Sequence, residues 1–275
     1  MPTIEVNGTT LHHEAAGRGP AVLFVHGMCG DADVWVDQAR RLVDRYTVVR
    51  YDRRGHTRSA RGDAPISSTL HAADAVALME ALDLAPCLIV GSSGGAAIAL
   101  EVALRHAHLL RGAVLSEPPL FSLDPDGGAL ARHEIVPRVE EAARTGGPAA
   151  AVDAFFPLVC PGLWSRIDED RKDRYRANGD IGLADLRGPS LQVAPGDLSG
   201  LDLPALVVAG EISHPSLQSI ARRLAGTLPD ARYVELAGSG HVTYAERPDE
   251  FADAVAVFAA EIDRRTAVAS WEATP

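Results

Sequence analysis

The residues Gly91-Ser92-Ser93-Gly94-Gly95 set a hydroxyl nucleophile between two glycines, each two positions away. The frame G-x-S-x-G fits in one register only, because Ser92 would need glycine where the chain has Val90. An apolar run, Cys87–Val90, precedes it and a helical pattern, Ala96–His106, follows. That context describes a serine on a sharp strand-to-helix turn. Such a turn strains the central residue and brings helix close to strand, so Gly91 and Gly95 must lack side chains. Ser93 would stand at the carboxyl edge of a sheet, with the Gly94 N–H aimed where oxygen gains charge in acyl transfer. A phosphate-binding turn is the rival reading, but neither G-x-G-x-x-G nor G-x-x-x-x-G-K-[ST] occurs.

A serine nucleophile needs a base. Of the ten histidines, His241 follows the last predicted strand in a Gly-Ser-Gly-His loop that can fold back over the sheet edge. His56 and His214 come next, whereas His12, His13, His71, His106, His108 and His133 fall on strand or helix surfaces as structural or solvated residues.

The elements that must position these groups alternate between short apolar runs and longer helical patterns, the mark of a mostly parallel α/β sheet flanked by helices. Thr3–Val6 and Leu11–Ala15 flank Asn7-Gly8, a hairpin signal. Strands are read at Ala21–Val25, Thr47–Tyr51, Cys87–Val90, Gly112–Leu115, Ala205–Ala209 and Arg232–Leu236. Helices are read near Ala32–Arg45 and at Leu70–Leu82, Ala96–His106, Ser216–Leu228 and Asp249–Ile262. The alternation lapses between Leu120 and Leu201, where Leu130–Arg144, Ala149–Leu158 and Ile167–Ala177 read as helices. We therefore expect a core of residues 1–119 and 202–265, a helical insertion over 120–201, and a loose tail at 266–275.

Composition narrows the function classes. A formal net charge of −11 disfavours gripping a phosphate backbone, and acids interrupt the one basic run, Arg171–Arg176, so no nucleic-acid partner is expected. Three scattered cysteines suggest neither a disulfide framework nor a metal site, and they fit a reducing, cytoplasmic setting. The N-terminus shows no basic segment followed by an apolar one. Leu88–Leu104, the longest apolar run, falls short of the ~20 residues of a membrane helix and carries Glu101, so no membrane partner is expected. One lysine, Lys172, against 25 arginines suggests a GC-rich, bacterial genome.

The chain resembles the α/β-hydrolase family through His26-Gly27-Met28-Cys29-Gly30, Tyr51–Ser59, Gly91–Gly95 and Gly238–His241, in family order along nearly the whole chain. The resemblance implies that the Met28 N–H joins that of Gly94 in an oxyanion hole, with Gly27 in the loop and His26 bracing it. The turn after Tyr51 carries Thr57 where the family usually has a second glycine. The family also usually supplies the triad acid after the strand read here as Ala205–Ala209, and Ser213 stands at that place. A serine cannot stabilise imidazolium as a carboxylate does.

Glu117 offers the alternative. It lies just past the strand after the nucleophile's, and adjacent strands ~4.8 Å apart would set Glu117 and Ser93 on either side of His241. Some hydrolases of this fold, haloalkane dehalogenases among them, take their acid after that strand. Glu211, in the usual acid loop, is the rival, and an exposed loop carboxylate is the plainer reading of Glu117.

The insertion is where the family places a cap over the site. Its apolar residues Phe121, Leu130, Ile135, Phe155, Phe156, Leu158, Trp164 and Leu191 either hold it together or line a pocket. A serine nucleophile argues against epoxide hydrolysis and dehalogenation, which use a carboxylate. The expected substrate is a small, largely apolar ester, lactone or thioester, or a diketone-like compound cleaved at a carbon–carbon bond, with no cofactor or metal. A ligand receptor that turns over poorly, or a cyclase or lyase using the same pocket, are the alternatives.

Overall fold

The computed structural model describes residues 2–272, and of residues 267–272 the backbone alone. Eight strands form one sheet in the order β1-β2-β4-β3-β5-β6-β7-β8. They are β1 (Thr3–Val6), β2 (Thr9–Ala16), β3 (Ala21–Val25), β4 (Thr47–Tyr51), β5 (Cys87–Ser92), β6 (Leu110–Ser116), β7 (Ala205–Gly210) and β8 (Ala231–Leu236). The β1–β2 hairpin turns at Asn7-Gly8, with φ of 46° and 69°, the backbone that suits strand twist in a two-residue turn. β2 also pairs antiparallel with β4, and the remaining pairings are parallel. β3, β5 and β7 are buried at every residue, which is why each reads as an unbroken apolar run.

The helices are α1 (Val36–Leu42), α2 (Ser68–Ala81), α3 (Gly94–His106), α4 (Pro125–Leu130), α5 (Val136–Val159), α6 (Pro161–Trp164), α7 (Glu169–Ala177), α8 (Gly179–Arg187), α9 (Pro195–Ser199), α10 (Pro215–Thr227), α11 (Thr243–Glu246) and α12 (Pro248–Glu272). Side chains alternate across each strand, so the sheet divides the core into two layers. Leu23, Ile89 and Leu115 pack with α2, α3 and α10 on one face. Phe24, Val90 and Val114 pack with α1 and α12 on the other. No helix among the described residues is long and apolar enough to cross a membrane.

Between β6 and β7 the chain forms α4 to α9, with a π-helical turn at Ala131–Ile135 joining α4 to α5. α5 breaks at Gly147 (φ 77°, ψ −172°), close to the gap the sequence places between its two helices there. Two differences stand out. The sequence pattern did not mark α8, whose Gly179, Asp180 and Gly182 look like a turn. α12 continues to Glu272, so a tail read as loose is helical over 266–272, where no Gly or Pro stops the helix. Residues 273–275 lie outside the described residues.

Candidate active site

Ser93 follows β5 directly and opens α3 with φ 54° and ψ −124°. The strain is locked in by close backbone contacts. A Cβ on Gly91 would lie 2.3 Å from the Gly95 oxygen, and one on Gly95 would lie 2.2 Å from the Val25 oxygen. The Ser93 N–H donates to the Ser116 oxygen at 2.8 Å, tying the turn to β6.

The register of β5 and β6 pairs Ser92 with Ser116, so Ser93 and Glu117 are the next residues on neighbouring strand ends. Glu117 shares the unusual backbone, with φ 47°, and is fully buried. Burying a carboxylate is costly unless donors surround it. Its Oε1 accepts from the Gly210 N–H at 2.8 Å, and its Oε2 accepts from the Ser213 hydroxyl at 2.6 Å. The same Oε2 lies 2.7 Å from His241 Nδ1, while His241 Nε2 lies 3.0 Å from Ser93 Oγ. With Nδ1–H donated to Glu117, Nε2 is left as the acceptor that faces the serine hydroxyl. Ser213, standing where the family's acid is usual, thus holds the carboxylate that reaches the histidine.

Glu211 is elsewhere. Its carboxylate is exposed and accepts from the Gly238 N–H at 2.7 Å, bracing the loop that leads to His241. Glu246, which sequence reasoning missed among the other loop acids, accepts from the Gly240 N–H at 3.1 Å and the Val242 N–H at 3.3 Å. It therefore clamps the backbone on both sides of His241.

Gly94 is the first residue of α3, so its N–H has no partner within the helix. A Cβ on Gly94 would lie 4.0 Å from the Met28 nitrogen, so the loop after β3 lies against the start of α3. His26 is fully buried beneath that loop, donating from Nδ1 to the Gly27 oxygen at 2.8 Å and accepting the Arg53 N–H on Nε2 at 2.9 Å. Burial, helped by the Arg53 charge, pushes the His26 pKa down to about 3, so it is a neutral brace.

The site opens into a cavity of about 600 Å³ between the sheet edge and the helices α4, α5 and α8. Phe121, Leu130, Ile135, Phe155, Leu158 and Leu191 line it. Phe156 and Trp164 instead stack on each other at 4.8 Å and hold the helices together. Arg53, Asp185 and Arg132 are the charged lining residues. Arg53 Nη2 donates to Asp185 Oδ2 at 2.8 Å, and His71 Nε2 donates to Asp185 Oδ1 at 2.8 Å. Burial alone would raise the Asp185 carboxyl; the Arg53 charge and the His71 hydrogen bond overturn that and hold it well below the carboxylate range.

Burial and the Arg53 charge keep His56 and His71 neutral. His71, read as a surface helix residue, is instead buried at the cavity wall, where Asp185 of α8 meets it. His56 is buried against Arg53, and His214 accepts the Ser216 N–H at the start of α10. Among the described residues no group of three or more His, Cys, Asp or Glu side chains is arranged to hold a metal ion.

Comparison with known proteins agrees with this fold. Residues 22–254 match the model of the alpha/beta hydrolase family. The uncharacterized hydrolase YraK of Bacillus subtilis (strain 168) is 39% identical over 123 residues, a match spanning 44% of this chain and 45% of that protein. The enol-lactonase from Burkholderia xenovorans LB400 superposes with a TM-score of 0.76 at 25% identity, covering 94% of this chain and 100% of that one. A thermophilic esterase from Thermogutta terrifontis has the same fold, with a TM-score of 0.77 at 23% identity over 94% of this chain and 97% of that one.

Proposed function

The chain belongs to the alpha/beta hydrolase family and is an enzyme of the hydrolase class, and from that premise we propose a serine hydrolase that works through an acyl-enzyme. The observation that carries this reading is the hydrogen-bonded series Ser93–His241–Glu117, at 3.0 and 2.7 Å, opening into an apolar cavity.

In this mechanism His241 Nε2 takes the Ser93 proton as Oγ attacks the carbonyl carbon of an ester or lactone. The oxygen that gains charge is received by the N–H groups of Met28 and Gly94. His241, now imidazolium, hands its proton to the departing alkoxide, and the acyl group stays on Ser93. Water loses a proton to His241, attacks the acyl-enzyme, and the carboxylic acid leaves as Ser93 recovers its proton. Glu117 holds the imidazole tautomer and stabilises the imidazolium. Residues 120–201 act as a cap over a core of 1–119 and 202–265. The likeness to an enol-lactonase favours a small, largely apolar ester or lactone over the thioester and carbon–carbon alternatives. Three buried, unpaired cysteines favour work in the cytoplasm.

The test is intact-mass labelling with a fluorophosphonate, alongside turnover of a panel of nitrophenyl esters. The expected result is one label and measurable turnover, both lost in Ser93→Ala. No label and no turnover in the native protein would favour the receptor or the cyclase and lyase readings.

A further inference from the structure

The cavity wall holds a polar group that acyl transfer does not use. Arg53 is 2% exposed, yet it lines the cavity. Its Nη2 donates to the Gly27 oxygen at 3.1 Å and to Asp185 at 2.8 Å, and lies 3.3 Å from His56 Nε2. Its Nη1 makes no hydrogen bond among the described residues, and it is not one of the buried polar atoms sealed off without a partner. The cavity is the space left for it. A guanidinium N–H that opens onto a largely enclosed, apolar cavity offers a ligand oxygen a charge-assisted hydrogen bond that is stronger than on open surface.

We propose that Arg53 forms a subsite for the acyl half of the substrate, selecting acyl groups that carry an uncharged oxygen, as ether, hydroxyl or keto, close to the scissile carbonyl. The inference rests on the serine-hydrolase reading for what is cleaved. Its position follows from the shared loop: Arg53 holds the carbonyl of Gly27, the residue before the proposed oxyanion donor Met28. Its preference for an uncharged oxygen follows from local charge. Asp185 already balances Arg53, and the neighbouring His26, His56 and His71 are held neutral by burial. A carboxylate there would compete with Asp185 for the same cation and face it at close range. An uncharged acceptor meets the free N–H without that repulsion.

The experiment is internal competition, followed by NMR in one tube, among methyl 3-methoxypropanoate, methyl pentanoate and monomethyl succinate. Each kcat/KM is divided by that ester's hydroxide rate. The first two differ by one CH2-to-oxygen exchange. The subsite predicts that the methoxy ester is preferred over pentanoate by about tenfold or more. In Arg53→Met/Asp185→Leu, which removes both charges together, that preference falls to unity or reverses. Ratios measured in one tube do not depend on the folded fraction. Asp185→Asn, a near-isosteric second variant, leaves Arg53 unbalanced and moves preference toward the succinate monoester.

Equal rates for methoxy ester and pentanoate, a native preference for the succinate monoester, or an unshifted Asp185→Asn would each overturn the subsite. If the native protein turns over none of the three, the fluorophosphonate label and the nitrophenyl esters decide the hydrolase reading separately. Calorimetric titration of the same esters then decides the subsite: tighter binding of the methoxy ester, lost in the double variant, sustains it, and equal binding overturns it.

Discussion

At the scale of single residues, the arrangement depends on which carboxylate touches His241. Glu117 accepts from His241 Nδ1, the Ser213 hydroxyl and the Gly210 N–H, whereas Glu211 accepts from a backbone N–H at the entrance to the same loop. A glutamine at 117 would present an amide that cannot stabilise imidazolium and can favour the wrong tautomer. Glu117→Gln should therefore lower kcat by about a hundredfold or more, and Glu211→Gln should change it little. Steady-state kinetics on a nitrophenyl ester measures both. Equal and mild effects would sink the assignment of Glu117. The sequence exposed Ser93 through its flanking glycines and His241 through its loop. Ser213 could be read there only as a missing acid, because its hydrogen bond joins residues 96 positions apart.

At the scale of elements, the strand-to-helix crossing at Ser93 and the break in α5 both depend on glycine, for different reasons. A methyl on Gly95 would meet backbone oxygens of Val25 and His26 at 2.2 and 2.6 Å, which neither strand nor helix can yield. Gly95→Ala should cost about 3 kcal/mol or more and displace Ser93. Gly147 has open space around its Cβ position, so Gly147→Ala bears only the cost of its glycine-type backbone, roughly 1–3 kcal/mol. Urea unfolding of the two variants should show the larger loss at Gly95; the reverse order would contradict the packing argument.

The same scale explains Thr57, which takes φ 43° where the family usually has glycine. Asn178, between α7 and α8, accepts its N–H at 2.8 Å and donates to its hydroxyl at 2.9 Å. Local composition hid α8, and with it the one element that brings Asp185 to Arg53.

At the scale of the whole molecule, buried neutral histidines couple stability to acid. His26, His56 and His71 are held below their ordinary value of 6.5 by burial, with the Arg53 charge next. In the unfolded chain they take up protons as pH drops through 6.5, while the folded chain refuses them. Their contribution is therefore fully present above 6.5 and is lost as pH falls, for His26 down to about 3. Each group that protonates only on unfolding removes up to about 1.4 kcal/mol per pH unit. Unfolding free energies at pH 7 and pH 5 should show a clear fall, and a flat profile would mean these rings protonate in the native state.

The alternation of strands and helices in the core, the Ser93 turn and the loops that carry Glu117 and His241 are written in the chain itself. Hydrophobic period and glycine spacing act within a few residues, so they are legible along the chain. Tertiary structure decided the rest: the three donors around Glu117, the clamp of Glu246, and the sorting of the inserted helices' apolar side chains into cavity wall and internal packing. It also set Arg53 beside Asp185, 132 positions away. Those outcomes turn on which distant groups share a low-dielectric interior, where each buried charge or donor must find its partner through space.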